Sequence, residues 1–241
     1  MLAKVSVAKV FIAKVFVEVL EQRVYTHHAC ATMSTEVHYF VSLHRLPACL
    51  HAKKGAIMAT HTLEIGNVRR ELPIIDVGDV CVALINLLGD TELTEAAAEA
   101  LCSKLPADTD LLVTPEVKAV PLAHALSVRS QLPYIVARKT LKPYMVGAMS
   151  KTVLSITTGK PQDLFIDGND VARIRGKRVI ILDDVVSTGG TLRGLEALIA
   201  EIGGEVIATF AVCTEGDRRD DIVALGHLPL FPKDAVKDPI V

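Results

Sequence analysis

The segment 179–191 begins with four apolar residues, continues with two adjacent aspartates and two valines, and ends in a turn of small residues. Its sequence is VIILDDVVSTGGT. An uninterrupted apolar run followed by turn-forming residues is typical of a strand that is buried on both faces of a parallel sheet. Such a sheet needs helices on both sides, so this run alone favours an α/β architecture.

Strand and helix signals alternate on both sides of this run. A helix is predicted where good helix formers follow a capping residue, as at Thr91, and Pro106 ends that segment. The predicted helices are 91–105, 119–129 and 191–202, and the predicted strands are 110–114, 133–138, near 152–157, 163–166, 178–184 and 205–213. The alternation predicts a parallel sheet that is flanked by helices.

Residues 1–57 differ from the rest of the chain in charge and patterning. They carry a net charge of +4, which leaves −6 for the remainder of the 241 residues. The triplet AKV recurs there every five residues, a period that gives neither a helix nor a strand one consistent face. The lysines also exclude a membrane span and a secretory signal. We expect 1–57 to be a poorly ordered extension or a non-native start, and 58–241 to be the working domain.

Cysteine usage and charge indicate the compartment and the class of partner. The five Cys residues include no CxxC pair, which is typical of a protein from a reducing compartment, so we expect a cytoplasmic location. The working domain is acidic and the chain contains only 4% aromatic residues. We therefore expect no nucleic-acid partner and no membrane partner.

The turn after the aspartates has the chemistry of an anion site. Backbone N–H groups at a helix start favour a phosphate, glycines allow its close approach, and hydroxyl groups add donors. Adjacent carboxylates beside a phosphate suit vicinal hydroxyl groups and a hydrated Mg²⁺ ion. Neither GxxxxGK[ST] nor GxGxxG after a strand occurs in the chain. The candidate phosphate-binding residues are Val186, Ser187, Thr188, Gly189, Gly190 and Thr191.

The same run resembles the 5-phosphoribosyl-1-pyrophosphate (PRPP) motif of type I phosphoribosyltransferases. In that motif four apolar residues, two acids and two apolar residues precede a small residue and Thr-Gly-Gly-Thr. The resemblance implies a flavodoxin-like parallel sheet, with a core over about 91–214 and a small hood subdomain from about 65–80 and 215–231. It also implies that Asp183 and Asp184 orient the ribose hydroxyls and contact Mg²⁺ indirectly, through those hydroxyls or water.

Three further segments resemble parts of that family in the expected order. The segment 114–123 resembles the loop that contacts pyrophosphate, and a basic pair after the second core strand resembles the one that faces pyrophosphate. Lys142 and 143–150 resemble the flexible loop that closes over the reaction centre, which implies a catalytic role for Lys142 beside the two aspartates. The implied pyrophosphate-binding residues are Glu116, Val117, Lys118, Arg138 and Lys139.

The resemblance implies transfer of the phosphoribosyl group of PRPP to a purine base, with Mg²⁺ as cofactor and a homodimer as the usual assembly. Hypoxanthine and guanine enzymes typically have Asp where this chain has Ser187, so adenine is the favoured base. The stretch 155–159 looks closer to xanthine phosphoribosyltransferases and to the PRPP-sensing domain of purine repressors. A xanthine enzyme and a non-catalytic PRPP-binding regulator therefore remain alternatives.

Overall fold

A computed structural model of the protein describes residues 59–154 and 161–233. The expected extension 1–57 lies outside the described residues, as does the stretch 155–159. In the described part of the chain, no helix is long and apolar enough to cross a bilayer.

The centre of the fold is a five-stranded parallel sheet. In chain order its strands are β4 (Leu111–Pro115), β5 (Tyr134–Ala137), β8 (Arg178–Val186), β9 (Glu205–Glu215) and β10 (Val223–Leu228). Their order across the sheet is β10-β9-β8-β4-β5, and every neighbouring pair is parallel. The predicted parallel sheet is therefore confirmed, and the acidic run lies on its middle strand.

Four helices accompany this sheet, and two small antiparallel sheets complete the described fold. The helices are α1 (Thr91–Cys102), α2 (Val120–Ser130), α3 (Gly168–Ile174) and α4 (Gly190–Ile202). One small sheet contains β1 (Thr60–Ile65), β2 (Val68–Asp76) and β3 (Cys81–Ala83), and the other contains β6 (Met149–Leu154) and β7 (Pro161–Ile166). Paired backbone hydrogen bonds of 2.9 and 2.8 Å join Cys81 to Phe231, close to the end of the described chain.

The side chains of β8 alternate between two hydrophobic cores. Ile180 and Leu182 belong to the core that includes α1 and α2, whereas Val179 and Ile181 belong to the core that includes α3 and α4. Successive side chains of a strand point to opposite faces, so a strand covered on both faces must be apolar at every position. This arrangement explains why four successive residues of β8, 179–182, are apolar.

Several predicted boundaries are wrong, and one helix was not predicted. The N-cap of α1 is Asp90, and Thr91 is already the first helical residue. That helix ends at Cys102 rather than at 105, and the strand expected near 152–157 is β6, which begins at Met149. Helix α3 was missed because it has only seven residues, too few to show a helical period in the sequence.

Asp90 links the N-terminal sheet to the helical layer. Its carboxylate accepts a hydrogen bond from the N–H of Leu93 at 3.1 Å and two from the guanidinium of Arg70, on β2, at 2.8 and 2.9 Å. The hydrogen bonds from Arg70 are the main reason that the pKa of Asp90 lies below its ordinary value. The carboxylate therefore caps α1 and pairs with β2 at the same time.

Substitutions at Asp90 should separate these two contributions. We expect Asp90→Ala to lower the free energy of unfolding by about 1 kcal/mol or more, as an N-cap is lost together with the ion pair. Asp90→Asn should cost less, because Asn is an equally good cap. Urea titrations at neutral pH measure both, and equal losses in the two variants would contradict the capping role. Because the pKa is lowered on folding, the ion-pair contribution is present above the ordinary pKa of Asp and is lost as the pH falls through the lowered value.

Candidate active site

The turn between β8 and α4 encloses a small cavity, here called the turn cavity. Gly189 is the N-cap of α4 and has a left-handed conformation with φ of 73°, and no side chain caps this helix by a hydrogen bond. The N–H groups at the helix start are thus free to bind a ligand, and they carry the positive end of the helix dipole. The turn cavity is lined by Gln162, Asp183, Val185, Val186, Ser187, Thr188, Gly189, Gly190, Thr191 and Leu192.

The two aspartates form a close pair at the end of the middle strand. The backbone N–H of Asp184 donates a hydrogen bond of 2.9 Å to Oδ1 of Asp183. Asp184 is buried, with 8% of its surface exposed, and its Oδ2 lies 3.9 Å from Nζ of Lys118. Burial is the main reason, and the charge of Asp184 the second, that the pKa of Asp183 lies well above its ordinary value. The pair is therefore suited to hydroxyl groups or cations that relieve its mutual repulsion.

A second cavity, here called the lysine cavity, adjoins the first. It has a volume of about 330 Å³ and is lined by Pro115, Glu116, Val117, Lys118, Lys139, Asp183, Asp184, Val185 and Thr191. Asp183, Val185 and Thr191 line both cavities, so the two adjoin beside the acid pair. The ends of parallel strands β4, β5 and β8 meet at one edge of the sheet, and this brings the lysines together.

The carboxylate of Glu116 faces the basic pair rather than open solvent. Its Oε2 lies 3.0 Å from Nε of Arg138, and its Oε1 accepts a hydrogen bond of 2.6 Å from the backbone N–H of Lys139. The peptide bond between Glu116 and Val117 is cis. Arg138 does not line the lysine cavity, whereas Lys118 and Lys139 do and are exposed to solvent. The two lysines are therefore the cations of this cavity that have a free approach to an anion.

Lys142 is not among the residues that line the two cavities beside the acid pair. It forms a turn in which the N–H of Met145 donates to its carbonyl oxygen at 3.0 Å. Three apolar side chains of the same loop are largely exposed, namely Leu141 (56%), Tyr144 (67%) and Val146 (78%). The loop thus presents apolar surface to solvent beside the end of β5.

Glu215 ends strand β9, on the opposite side of β8 from the lysine cavity. Its side chain is half-buried, and burial is the main cause that raises its pKa above the ordinary value, while the charge of Lys118 acts in the opposite sense. On the neighbouring strand, Nδ1 of His227 lies 3.0 Å from Oγ1 of Thr214.

Some residues at this edge were not singled out in the sequence. Gln162, on β7, lines the turn cavity although it lies 21 positions before Asp183. Arg193 and Arg219 lie close to Gly189, although neither lines the turn cavity. Arg193 lies four positions after Gly189, a spacing that places it one helical turn away, but no local signal connects Arg219 with this turn.

The chain is similar in sequence to curated phosphoribosyltransferases. The chain is 34% identical over 141 residues to a hypoxanthine/guanine phosphoribosyltransferase of Methanosarcina mazei, which covers 58% of this chain and 70% of the relative. It is 38% identical over 117 residues to an orotate phosphoribosyltransferase of Methanopyrus kandleri, covering 48% of this chain and 51% of the relative. The chain thus spans from about half to seven-tenths of the length of these curated relatives.

Solved structures share the fold at lower sequence identity. An adenine phosphoribosyltransferase from Thermoanaerobacter pseudethanolicus superimposes with a TM-score of 0.50 at 21% identity, over 70% of this chain and 95% of that chain. The family model of the phosphoribosyl transferase domain matches residues 88–225, more than half of the sequence. Those residues contain the acid pair, the turn and both lysines, and the protein therefore belongs to the phosphoribosyl transferase family, with the type I fold.

Proposed function

We propose that this protein is a purine phosphoribosyltransferase that transfers the phosphoribosyl group of PRPP to a ring nitrogen of a purine base and releases pyrophosphate. The main support for this function is the order of chemical groups along one sheet edge. An anion-binding turn lies on one side of an acid pair, and a cavity with two lysines lies on the other. PRPP has the matching order: a phosphate, a ribose with vicinal hydroxyls, and a pyrophosphate.

The turn cavity would bind the 5-phosphate. Backbone N–H groups of the turn and the hydroxyls of Ser187, Thr188 and Thr191 are the donors, and Gly189 and Gly190 allow a close approach. The same arrangement binds phosphate at other helix N-termini, because the helix dipole favours negative charge there. This anchor would fix the ribose over the acid pair.

Asp183 and Asp184 would orient the ribose hydroxyls. Among the described residues, no group of three or more His, Cys, Asp or Glu is placed to hold a metal ion. The two carboxylates nevertheless fit Mg²⁺, which often keeps several waters and is held by one or two carboxylates together with substrate oxygens. When bound, Mg²⁺ would offset the negative charge of the pyrophosphate.

The lysine cavity would stabilise the leaving group. In the reaction the bond between C1 of the ribose and the pyrophosphate oxygen breaks, a bond from the purine nitrogen to C1 forms, and the proton of that nitrogen is released. Negative charge therefore grows on the pyrophosphate as positive charge grows on the sugar. Lys118 and Lys139 face the cavity where the pyrophosphate charge would develop, and preorganised charges of this kind lower the barrier.

The loop that carries Lys142 would exclude water. Its exposed side chains Leu141, Tyr144 and Val146 would lose contact with solvent if the loop closed over the lysine cavity. Closure would also carry Lys142, which lines neither cavity, towards the acid pair. Exclusion of water matters because water at C1 would hydrolyse PRPP.

We propose adenine as the preferred base. Ser187 offers a hydroxyl where a carboxylate would be needed to exchange a proton with an oxopurine, and its side chain is half-buried in the turn. The half-buried Glu215 suits a base with an exocyclic amino group, because a carboxylate accepts hydrogen bonds. A hypoxanthine or guanine preference is the second candidate, and the 34% identity to the Methanosarcina mazei protein of that name favours it.

Release of pyrophosphate tests this function directly. The full chain is mixed with PRPP and Mg²⁺ and then with adenine, hypoxanthine, guanine or xanthine in turn. We expect base-dependent release, with the highest kcat/KM for adenine. A higher value for another purine would refute the adenine preference alone. Binding of PRPP without release for any base would refute the enzyme and identify a PRPP-binding regulator instead.

The acid pair provides a second test. The double variant Asp183→Asn with Asp184→Asn keeps the side-chain volumes but removes both charges, so we expect kcat/KM for PRPP to fall by about a hundredfold or more. Steady-state kinetics with the best base measure the effect. Glu99→Gln, on the exposed face of α1, is the control and should retain full activity. Near-normal turnover in the double variant would show that the pair does not have this role.

A further inference from the structure

Two arginine side chains flank Gly189, one from the next turn of α4 and one from the connection between β9 and β10. This residue is buried and has a φ of 73°, a conformation that glycine adopts without strain. A Cβ atom at this position would lie 2.8 Å from Nη1 of Arg219 and 3.4 Å from Nη1 of Arg193. A distance of 2.8 Å is too short for such a contact and 3.4 Å is an ordinary one, so the missing side chain is what allows Arg219 to lie this close to the turn.

Arg193 fixes the orientation of one peptide group of the turn. Its Nη1 donates a hydrogen bond of 2.9 Å to the carbonyl oxygen of Thr188. The peptide bond between Thr188 and Gly189 is trans, so the N–H of Gly189 points away from that carbonyl. Gly189 lines the turn cavity and Arg193 does not. Because Arg193 holds the carbonyl, the direction of the N–H of Gly189, a residue that lines the cavity, is fixed as well.

Asp221 fixes the orientation of Arg219. Both residues lie in the connection between β9 and β10, and Nε and Nη2 of Arg219 donate hydrogen bonds of 2.8 and 2.6 Å to Asp221. This paired geometry leaves Nη1 as the nitrogen that faces Gly189. The side chain of Arg219 is 25% exposed, whereas that of Asp221 is 62% exposed. Asp221 therefore acts from the solvent side and presents Arg219 to the turn.

We propose that Arg193 and Arg219, the latter oriented by Asp221, are positioning residues for the 5-phosphate of PRPP. They hold the turn in the shape that directs its N–H groups into the turn cavity, and they place positive charge behind it. Neither arginine lines the cavity, so they act through the turn rather than by touching the ligand. This inference rests on the proposed function, because it assigns the turn cavity to the phosphoribosyl end of PRPP.

The location of these groups makes the effect specific to one end of the substrate. The pyrophosphate end belongs to the lysine cavity, which neither Arg193 nor Arg219 lines. The loss of either arginine should therefore weaken binding of the phosphoribosyl end and leave binding of pyrophosphate unchanged. A general loss of folding would weaken both.

Calorimetric titration with ribose 5-phosphate and, separately, with pyrophosphate and Mg²⁺ tests the proposal. We expect Arg219→Gln and Arg193→Gln each to weaken ribose 5-phosphate binding by about tenfold, because the turn loses a charged group that holds its shape or places positive charge behind it. Pyrophosphate binding should stay within about twofold, as for surface substitutions. With PRPP as substrate, KM should rise while kcat at saturation is retained.

Two further variants separate orientation from bulk charge. Asp221→Asn removes a negative charge, so simple electrostatics predicts tighter phosphate binding, whereas loss of the Arg219 orientation predicts weaker binding, which we expect. Arg218→Gln changes the net charge as Arg219→Gln does and serves as the control. Arg218 is exposed and makes no hydrogen bond or ion pair within the described residues, so we expect this variant to bind ribose 5-phosphate as the wild type does.

Specific outcomes would overturn the inference. Normal ribose 5-phosphate binding in both arginine variants would overturn it. Tighter ribose 5-phosphate binding in Asp221→Asn, or a loss of affinity in Arg218→Gln equal to that in Arg219→Gln, would overturn it as well. A wild-type chain that binds neither ribose 5-phosphate nor pyrophosphate would instead refute the proposed function, and this inference with it. If Arg219→Gln does not fold, as judged by its thermal midpoint, Arg193→Gln and Asp221→Asn decide the question.

Discussion

Strand β8 can be apolar at almost every position only because helices cover both faces of the sheet. Its side chains enter two separate cores, so the strand cannot shift by one residue without exchanging the two sets. The register of β8 against β4 and β9 is thereby set, and with it the point at which the apolar run gives way to Asp183 and Asp184. The position of the acid pair thus depends on hydrophobic burial below it, since two adjacent carboxylates repel each other.

Unfavourable interactions of this kind make sense where a ligand relieves them. The carboxylates of Asp183 and Asp184 repel each other, and burial makes the charged form of Asp183 costly. Among the described residues, the cation nearest to Asp184 is Nζ of Lys118, at 3.9 Å, too far for a hydrogen bond. Structural ion pairs elsewhere in the chain are closer, such as Arg70 with Asp90 at 2.8 Å. The loose pairing leaves both Lys118 and Asp184 available, one for an anion and the other for hydroxyls or a cation.

The parts of the fold that local patterns determine could be predicted from the sequence, and the parts that depend on distant contacts could not. Strand β8 and helix α4 were predicted to within two residues, because burial on both faces and the Gly pair before the helix leave clear marks. The cap of α1 was placed one residue late, since Asp90 and Thr91 are both good caps, and the pairing of Asp90 with Arg70, twenty positions earlier, leaves no local signal in the sequence. The short helix α3 leaves no helical period in the sequence, because it has only seven residues and two of them are buried.

The candidate site also contains residues that local patterns indicate and residues that only distant contacts bring together. The sequence singles out the acid pair, the turn and both lysines because each lies at or shortly after the predicted end of a strand, and the structure brings them together at one sheet edge. The approach of Arg219 to Gly189 spans thirty positions in the chain and depends on how the connection between β9 and β10 folds back. That connection begins directly after Glu215, so one segment reaches both the end of β9 and the back of the turn. A change in this segment would therefore act on the turn as well as on Glu215.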